Sequence, residues 1–284
     1  MKCSICGTSL QESFVFCPQC GAKIISDLTL DTGDAKKQDI KMIKVPGGTF
    51  YMGDKLQNRR ISVDIFAISQ TPITQAQYFE IMGVNPSKLK GNNRPVESVN
   101  WCEAVIFCNM LSLKKNLTPC YSIGDATNLS GIDMKSPMWK HITCNFETTG
   151  YRLPTEAEWE FAARGGKNEE TSVYAGGDDI DKVAWYGENS NASTHDVALK
   201  FPNTLELYDM SGNVAEWCWD YMDELEGKAI SNPHGPSIGN MHIKRGGSWL
   251  DDAEQCTVLY RSASAPTGKA SNLGFRICQS GVIF

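Results

Sequence analysis

Four cysteines near the start of the chain form two C-x-x-C pairs, Cys3-x-x-Cys6 and Cys17-x-x-Cys20, with Gly7 and Gly21 directly behind them. A two-residue gap lets both thiolates of a pair turn toward one ion. The glycine permits the tight turn that aims backbone N–H groups at the sulfurs. Four thiolates make a closed, tetrahedral, structural Zn²⁺ site with no open position for catalysis. About two dozen residues cannot bury a sufficient core, so metal binding must supply much of the folding free energy of residues 1–24. The competing reading is a pair of disulfides. It requires an oxidising compartment, and the chain opens Met1-Lys2-Cys3 with no apolar stretch of a secretory leader.

A second constellation is Gly212-Asn213-Val214-Ala215-Glu216. Asn and Glu three apart in a loop, with carbonyls between, can offer several oxygens to one hard cation, and Ca²⁺ suits such loop-built sites. The plainer alternative is that both side chains satisfy loop backbone groups. The remaining titratable residues read structurally. His141, His195, His234 and His242 show no metal-ligand spacing and are expected to be solvated or hydrogen-bonded. Glu156, Glu158 and Glu160 are expected to serve capping and surface charge. Arg152 and Arg276 are expected to hold loops through guanidinium bonds to carbonyls. Gly47-Gly48 and Gly246-Gly247 lack the lysine that follows a phosphate-binding loop.

The elements around these residues divide the chain into a small module and one large domain, as 284 residues allow. The polar stretch 25–40 reads as a linker of roughly 20–25 Å root-mean-square span. In the domain from residue 41 onward, helical signals are few. Thr74 caps a helix through Met82, and Trp101 to about Leu113 forms a second with a buried stripe at Trp101, Val105, Phe107, Cys108 and Leu111. Thr155 and Glu158 form the capping box of a third, which ends at Gly165-Gly166. Beyond residue 166 the composition turns to Gly, Asn, Asp, Ser and aromatics, which predicts long loops and short strands, such as Met241 to Lys244 and Thr257 to Arg261. The net charge of −6 argues against nucleic acid as a partner, and no apolar run is long enough for a membrane helix. Eleven cysteines less the quartet leave seven, an odd number that suits reduced, mostly buried thiols in a cytoplasm.

Several motifs follow one another in the large domain. They are Val45-Pro46-Gly47-Gly48-Thr49-Phe50-Tyr51-Met52-Gly53, Thr71-Pro72-Ile73-Thr74, Arg94-Pro95-Val96-Glu97-Ser98-Val99-Asn100-Trp101 and Tyr151-Arg152-Leu153-Pro154-Thr155-Glu156-Ala157-Glu158-Trp159-Glu160. Leu207-Tyr208-Asp209-Met210-Ser211-Gly212-Asn213-Val214-Ala215-Glu216-Trp217, Arg245-Gly246-Gly247-Ser248-Trp249 and Gly274-Phe275-Arg276 complete the series. In this order they resemble the formylglycine-generating enzyme (sulfatase-modifying factor) domain family across about residues 41–280. The N-terminal segment resembles the short zinc-ribbon modules that open many bacterial proteins. The resemblance implies an α+β, elaborated C-type-lectin-like fold with little regular structure, so the expected organisation is a zinc ribbon at 1–24, a linker at 25–40 and the enzyme-like domain at 41–284.

The active enzymes of that family oxidise a sulfatase cysteine to formylglycine with O₂, holding Cu(I) between two cysteines spaced five apart. Here the second of those positions is Cys256 and the first is Asp251. Cu(I) is soft and a carboxylate is a hard, poor ligand for it, so this departure argues against oxidase activity. Ser248 and Trp217 match residues that line the family's active-site groove. Cys218 and Cys278 are the cysteines that could stand in for the missing one. The plainer reading places Cys256 as a small buried residue of a strand Thr257-Val258-Leu259-Tyr260, and Ser248 in a turn hydrogen bond. The resemblance also implies a structural calcium on the side chains of Asn213 and Glu216 and the carbonyls of Gly212 and Val214. A second calcium loop is implied around Trp185 to Val197, with Asn189, Ser190, Asn191, His195 and Asp196 as oxygen or nitrogen donors. Three functions follow. The first is a non-enzymatic binding or scaffold module that takes a protein or small ligand in its lectin-like groove and has the ribbon as a second contact surface. The second is a formylglycine-generating oxidase with an altered metal site. The third is a variable ligand-binding protein of a diversity-generating retroelement, diversified at about Trp249 to Ser264.

Overall fold

Three capping boxes set the helical frame. In the computed structural model, which describes residue 9 and residues 39–53, 59–168, 171–224 and 229–281, helix α1 (Gln75–Met82) is capped by Thr74 and Gln77. Helix α2 (Trp101–Lys114) is capped by Asn100 and Glu103, and α3 (Glu156–Ala163) by Thr155 and Glu158. In each, the cap side chain takes an orphan N–H of the first turn while the third residue reaches back to the cap N–H. A one-turn α4 (Ile180–Val183) follows. Helix α2 is buried on nearly every side, since Cys102, Ala104, Ile106, Asn109 and Ser112 join the expected stripe. Its two polar members are satisfied internally. Asn109 donates to the carbonyls of Tyr121 and Thr127 at 2.8 Å, and the Ser112 hydroxyl donates to the Cys108 carbonyl at 2.7 Å.

Among the described residues there are thirteen short strands: β1 (Met42–Val45), β2 (Gly48–Met52), β3 (Arg59–Val63), β4 (Phe66–Ser69), β5 (Tyr121–Ile123), β6 (Ile142–Cys144), β7 (Tyr151–Arg152), β8 (Ala215–Tyr221), β9 (Ile230–Ser231), β10 (His242–Arg245), β11 (Arg261–Ser264), β12 (Leu273–Gly274) and β13 (Cys278–Ser280). One sheet runs β1-β4-β13-β7 and joins the start of the domain to its end. A second runs β11-β10-β8-β12, a third β2-β3-β9, and β5 pairs β6. One core cluster lies around α1 and α2 with Phe275, Trp217 and Tyr121. The other lies around α3 with β2, β3 and β4. The mixture of short helices, small sheets and long loops is the expected α+β architecture. Among the described residues no helix is long and apolar enough to cross a membrane.

Several expectations shift. The quartet Cys3, Cys6, Cys17 and Cys20 lies outside the described residues, as does nearly all of the 25–40 stretch. The last two residues of that stretch belong to the domain, because Ile40 packs against the α1/α2 cluster and Asp39 pairs with Lys115 at 3.3 Å. The expected strand Thr257–Arg261 does not form. Residues 253–256 make a 3₁₀ turn ending at Cys256, and the strand begins only at Arg261. The reason is Arg245, whose guanidinium donates to the carbonyls of Val258 (3.1 Å), Leu259 (3.0 Å) and Tyr260 (2.6 Å), so those groups are taken before a neighbouring strand can use them.

Glu156 and Glu160 are not surface charges. Both are buried. Glu156 is gripped by Arg261 at 2.6 and 2.7 Å, and Glu160 by Arg245 and by Arg164 at 2.9 Å. Charge taken out of water at this depth must be paired, and α3 presents residues 156 and 160 on one face at helical i,i+4 spacing. Arg152 and Arg276 do hold loops, and each also carries a carboxylate. Arg152 bonds Glu158 at 2.6 Å through two nitrogens and the Leu153 carbonyl at 3.1 Å. Arg276 reaches the carbonyls of Ser69 and Tyr208 at 2.9 and 2.8 Å.

Candidate functional site

The candidate site is built where four loops are stitched together. β10 ends at Arg245, and the chain turns through Gly246 (φ 94°) and Gly247 (φ 64°). A Cβ at Gly247 would stand 2.5 Å from the Gln255 carbonyl oxygen and 2.7 Å from Cys256 Sγ, so only glycine allows this return. The preceding loop is equally tight. Gly212 (φ 75°) leaves a Cβ position 2.3 Å from the Trp185 carbonyl oxygen. Backbone bonds tie the loops together: Gly212 N–H to the Gly246 carbonyl at 2.8 Å, Asn213 N–H to Trp185 at 2.7 Å, Trp249 N–H to Asn213 at 3.0 Å and Gly187 N–H to Asp251 at 2.9 Å.

Within this frame, Ser248 and Cys256 are fully buried. The Ser248 hydroxyl donates to the carboxylate of Asp251. It accepts the Asn272 amide at 3.0 Å and the Leu250 N–H at 3.3 Å, the turn bond expected of it. Cys256 faces the Ser248 carbonyl at 3.9 Å. Burial, then the charge of Asp251, pushes its thiol up to about 12, so it is protonated at neutral pH. Trp217 does not line a groove. It is buried, and its indole donates to the Val99 carbonyl at 2.9 Å. Trp249 is the tryptophan at this turn, with its indole on the Ser271 carbonyl at 2.9 Å and its carbonyl taking the Ser190 hydroxyl at 2.7 Å.

These groups do not fit Cu(I). The metal requires two soft ligands, whereas Cys256 offers one sulfur and the other position is the hard carboxylate of Asp251, engaged by Ser248. Cys218 on β8 and Cys278 on β13 belong to the apolar layer with α3, which Cys256 does not join, and burial drives both thiols well above their usual range.

The side-chain oxygens expected for calcium, on Asn213 and Glu216, are likewise engaged by the protein. Arg276 Nε bonds Glu216 Oε2 at 2.6 Å and Nη2 bonds Oε1 at 2.8 Å, while the Trp159 indole donates to Oε2 at 2.7 Å. Asn213 Oδ1 accepts the His195 N–H at 3.1 Å, and its amide donates to the His195 carbonyl at 3.1 Å and to Asp209 at 3.2 Å. The positive charge of Arg276 already sits on the Glu216 carboxylate and opposes a second cation there, so this side-chain pair as folded does not fit calcium. In the 185–197 loop, Ser190, Asn189 and His195 spend polar atoms on protein partners, Ser190 on the Trp249 carbonyl. Asn189 reaches Asp181 and the Ala184 carbonyl, and His195 stacks on Trp185 at 3.7 Å with Nε2 on the Ser190 carbonyl at 2.7 Å. Among the described residues no group of three or more His, Cys, Asp or Glu side chains could hold a metal ion.

Sequence reasoning missed Asp209, which is buried between the Ala198 N–H and Asn213. Burial raises its carboxyl above the usual range. It also missed Asp220, raised well above that range by burial and then by Glu156. Nothing in either residue's neighbourhood in sequence signals burial, because long-range packing creates it.

Residues 30–280 match the family described as "Sulfatase-modifying factor enzyme 1-like domain". The chain is 33% identical over 258 residues to a protein named "Chaperone protein LppX" from Paenibacillus barcinonensis, covering 84% of this chain and 89% of that one. It is 37% identical over 158 residues to the formylglycine-generating enzyme of Streptomyces coelicolor, a match that covers 49% of each. Its fold superposes on the solved structure titled "Treponema denticola variable protein 1" with a TM-score of 0.79 and 34% identity, covering 84% of this chain and 95% of that one. The chain belongs to the sulfatase-modifying factor enzyme 1-like domain family.

Proposed function

We propose that this protein is a binding or scaffold module on a formylglycine-generating-enzyme-like domain, one that has given up copper-dependent oxidation. The carrying observation is the Ser248–Asp251 hydrogen bond, which fixes a carboxylate where the copper site needs a second sulfur beside Cys256. Where oxidation needs two soft thiolates, one position holds a hard carboxylate fixed in place and only one sulfur remains. The contact surface is the turn and return from Trp249 to Ser264. Its backbone is pinned from below by Arg245, while Leu250 (60% exposed) and Leu259 (37% exposed) face solvent. A rigid base under exposed apolar side chains suits recognition of a protein or small ligand. The ribbon at 1–24, folded on zinc, supplies a second contact surface in this reading, and reduced thiols fit a cytoplasmic setting.

A second reading, a variable ligand-binding protein diversified at Trp249 to Ser264, draws on the 34% identity and 0.79 TM-score to the Treponema denticola variable protein. The same surface would then differ among sister chains while Arg245 and Cys256 beneath it stay constant. The deciding experiment incubates the protein with a sulfatase peptide carrying the target cysteine, Cu(I), O₂ and a thiol reductant, and reads the peptide by mass. The expected result is an unchanged cysteine. Conversion to the aldehyde at turnover would overturn the binding-module reading.

A further inference from the structure

A narrow cleft of about 370 Å³, counted out to its open mouth, lies where the start of α3, the end of β8 and the start of β11 meet the β2-β3-β9 sheet. Asp220 lines it and is only 5% exposed. One of its carboxylate oxygens is spent: Oδ2 accepts the N–H of Glu156, in the first turn of α3, at 2.8 Å. Among the described residues no other residue donates a hydrogen bond to Oδ1. Gly235 (φ 72°) lies against that oxygen. A Cβ there would stand 3.2 Å from Oδ1 and 2.8 Å from the Asp220 Cβ, so the bare glycine keeps the carboxylate open to the cleft. Met52, Ile61, Ala157 and Pro233 give the walls apolar surface.

We infer that this cleft binds a primary ammonium carried on an aliphatic stem, with Asp220 Oδ1 as its inner acceptor. Four carboxylates line the cleft, those of Glu156, Asp220, Asp223 and Glu224, against the two guanidinium groups of Arg59 and Arg261, a formal charge of −2. The charge of Arg261 is spent on Glu156, which it grips at 2.6 and 2.7 Å. Asp223 and Glu224 are exposed, so their charge draws a cation toward the entrance. The apolar walls then take the stem out of water.

A single open oxygen selects among cations. Guanidinium presents a planar fork that matches two carboxylate oxygens, whereas an ammonium is a compact point charge that one oxygen can take. A hard metal ion needs several converging oxygens, and among the described residues no group of three His, Cys, Asp or Glu side chains is arranged to hold one. Burial, and then the charge of Glu156, raises the Asp220 carboxyl well above the usual carboxylate range. An ammonium in the cleft supplies the positive partner that favours its ionised form.

The test titrates the full-length chain with n-butylammonium at low salt and reads binding by saturation-transfer NMR. The expected result is saturable binding, with n-butanol, the neutral analogue of similar size, binding at least ~10-fold more weakly. Asp220→Asn keeps an acceptor for the Glu156 N–H and should also weaken n-butylammonium at least ~10-fold. The exposed double substitution Asp223→Asn/Glu224→Gln should weaken it about 2–3-fold, an effect that added salt removes. A blocked Gly-Lys-Gly peptide distinguishes the source of the ammonium: binding as tight as n-butylammonium assigns the cleft to a lysine side chain of a partner protein, and weaker binding assigns it to a free small amine. No saturable binding, equal binding of n-butanol, or wild-type affinity in a folded Asp220→Asn chain overturns the proposal. Should Asp220→Asn fail to fold, the double substitution decides, and unchanged affinity at low salt overturns it.

Discussion

Ser248 gives its hydroxyl hydrogen to Asp251 three residues on, and Asn272 holds the same hydroxyl from the other side at 3.0 Å. The carboxylate thereby acquires a fixed position at the turn that carries Trp249 and Leu250. Ser248→Ala removes that donor and leaves the Asn272 amide without its acceptor. The expected loss is about 1–2 kcal/mol of stability in urea titration, because the site is buried but the groups it strands are few. A change within error would mean the bond contributes nothing to the turn.

The Glu216–Arg276 pair has higher stakes. Both side chains are fully buried, and Arg276 spans three segments through Ser69, Tyr208 and Glu216. Arg276→Met strands a buried carboxylate and is expected to cost about 3–5 kcal/mol. Arg276→Lys should restore little of this, since an ammonium cannot reproduce the two-pronged grip. Denaturant midpoints of the two variants measure the difference, and near-wild-type stability of Arg276→Lys would contradict the geometry.

His242 gives the domain an acid limb. It is stacked between Trp101 at 3.8 Å and Tyr221 at 4.1 Å, and burial pushes it down to about 3. Unfolded, it titrates near ~6.5. Between those values the unfolded chain binds a proton that the folded chain refuses. This contribution to stability is therefore complete above pH ~6.5 and is lost as pH falls toward about 3. The loss is on the order of a few kcal/mol. Asp220, with its raised carboxyl, works in the opposite direction, favouring the fold at low pH and ceasing to do so as pH rises through its folded value. His242→Phe keeps the stack and should flatten the acid limb between pH 6.5 and 3, while the Asp220 contribution is common to both proteins and cancels. Parallel stability–pH curves for the two would contradict the assignment.

Much of the helical frame was legible because capping is local. Thr74/Gln77, Asn100/Glu103 and Thr155/Glu158 each lie within three residues of one another, and the sequence alone marks the helix starts. The ordered glycine and tryptophan motifs carried the fold class. What could not be read were relations across distance. Arg245 reaches thirteen to fifteen residues ahead to pin 258–260 and prevents the strand that β-branched and aromatic residues there suggest. Glu156 and Glu160 look like surface charges until Arg261, more than a hundred residues away, and Arg245 bury them.

Zinc in the N-terminal module can be counted. The expected content is about one Zn per chain, held by Cys3, Cys6, Cys17 and Cys20. Chelation should release it and unfold residues 1–24 without moving the thermal transition of the large domain. Collapse of the whole protein on chelation would contradict the modular reading.

The state of Cys256 bears directly on the central claim and is read most directly with Cu(I). The full-length, zinc-loaded protein and its Cys256→Ala variant are titrated with Cu(I) against a competing chelator, so that binding by the N-terminal cysteines is common to both. The account predicts superimposable curves, with an added tight site appearing only in Asp251→Cys. A tight site in the wild type that disappears in Cys256→Ala would show a working copper centre, and the chain would then be read as an oxidase.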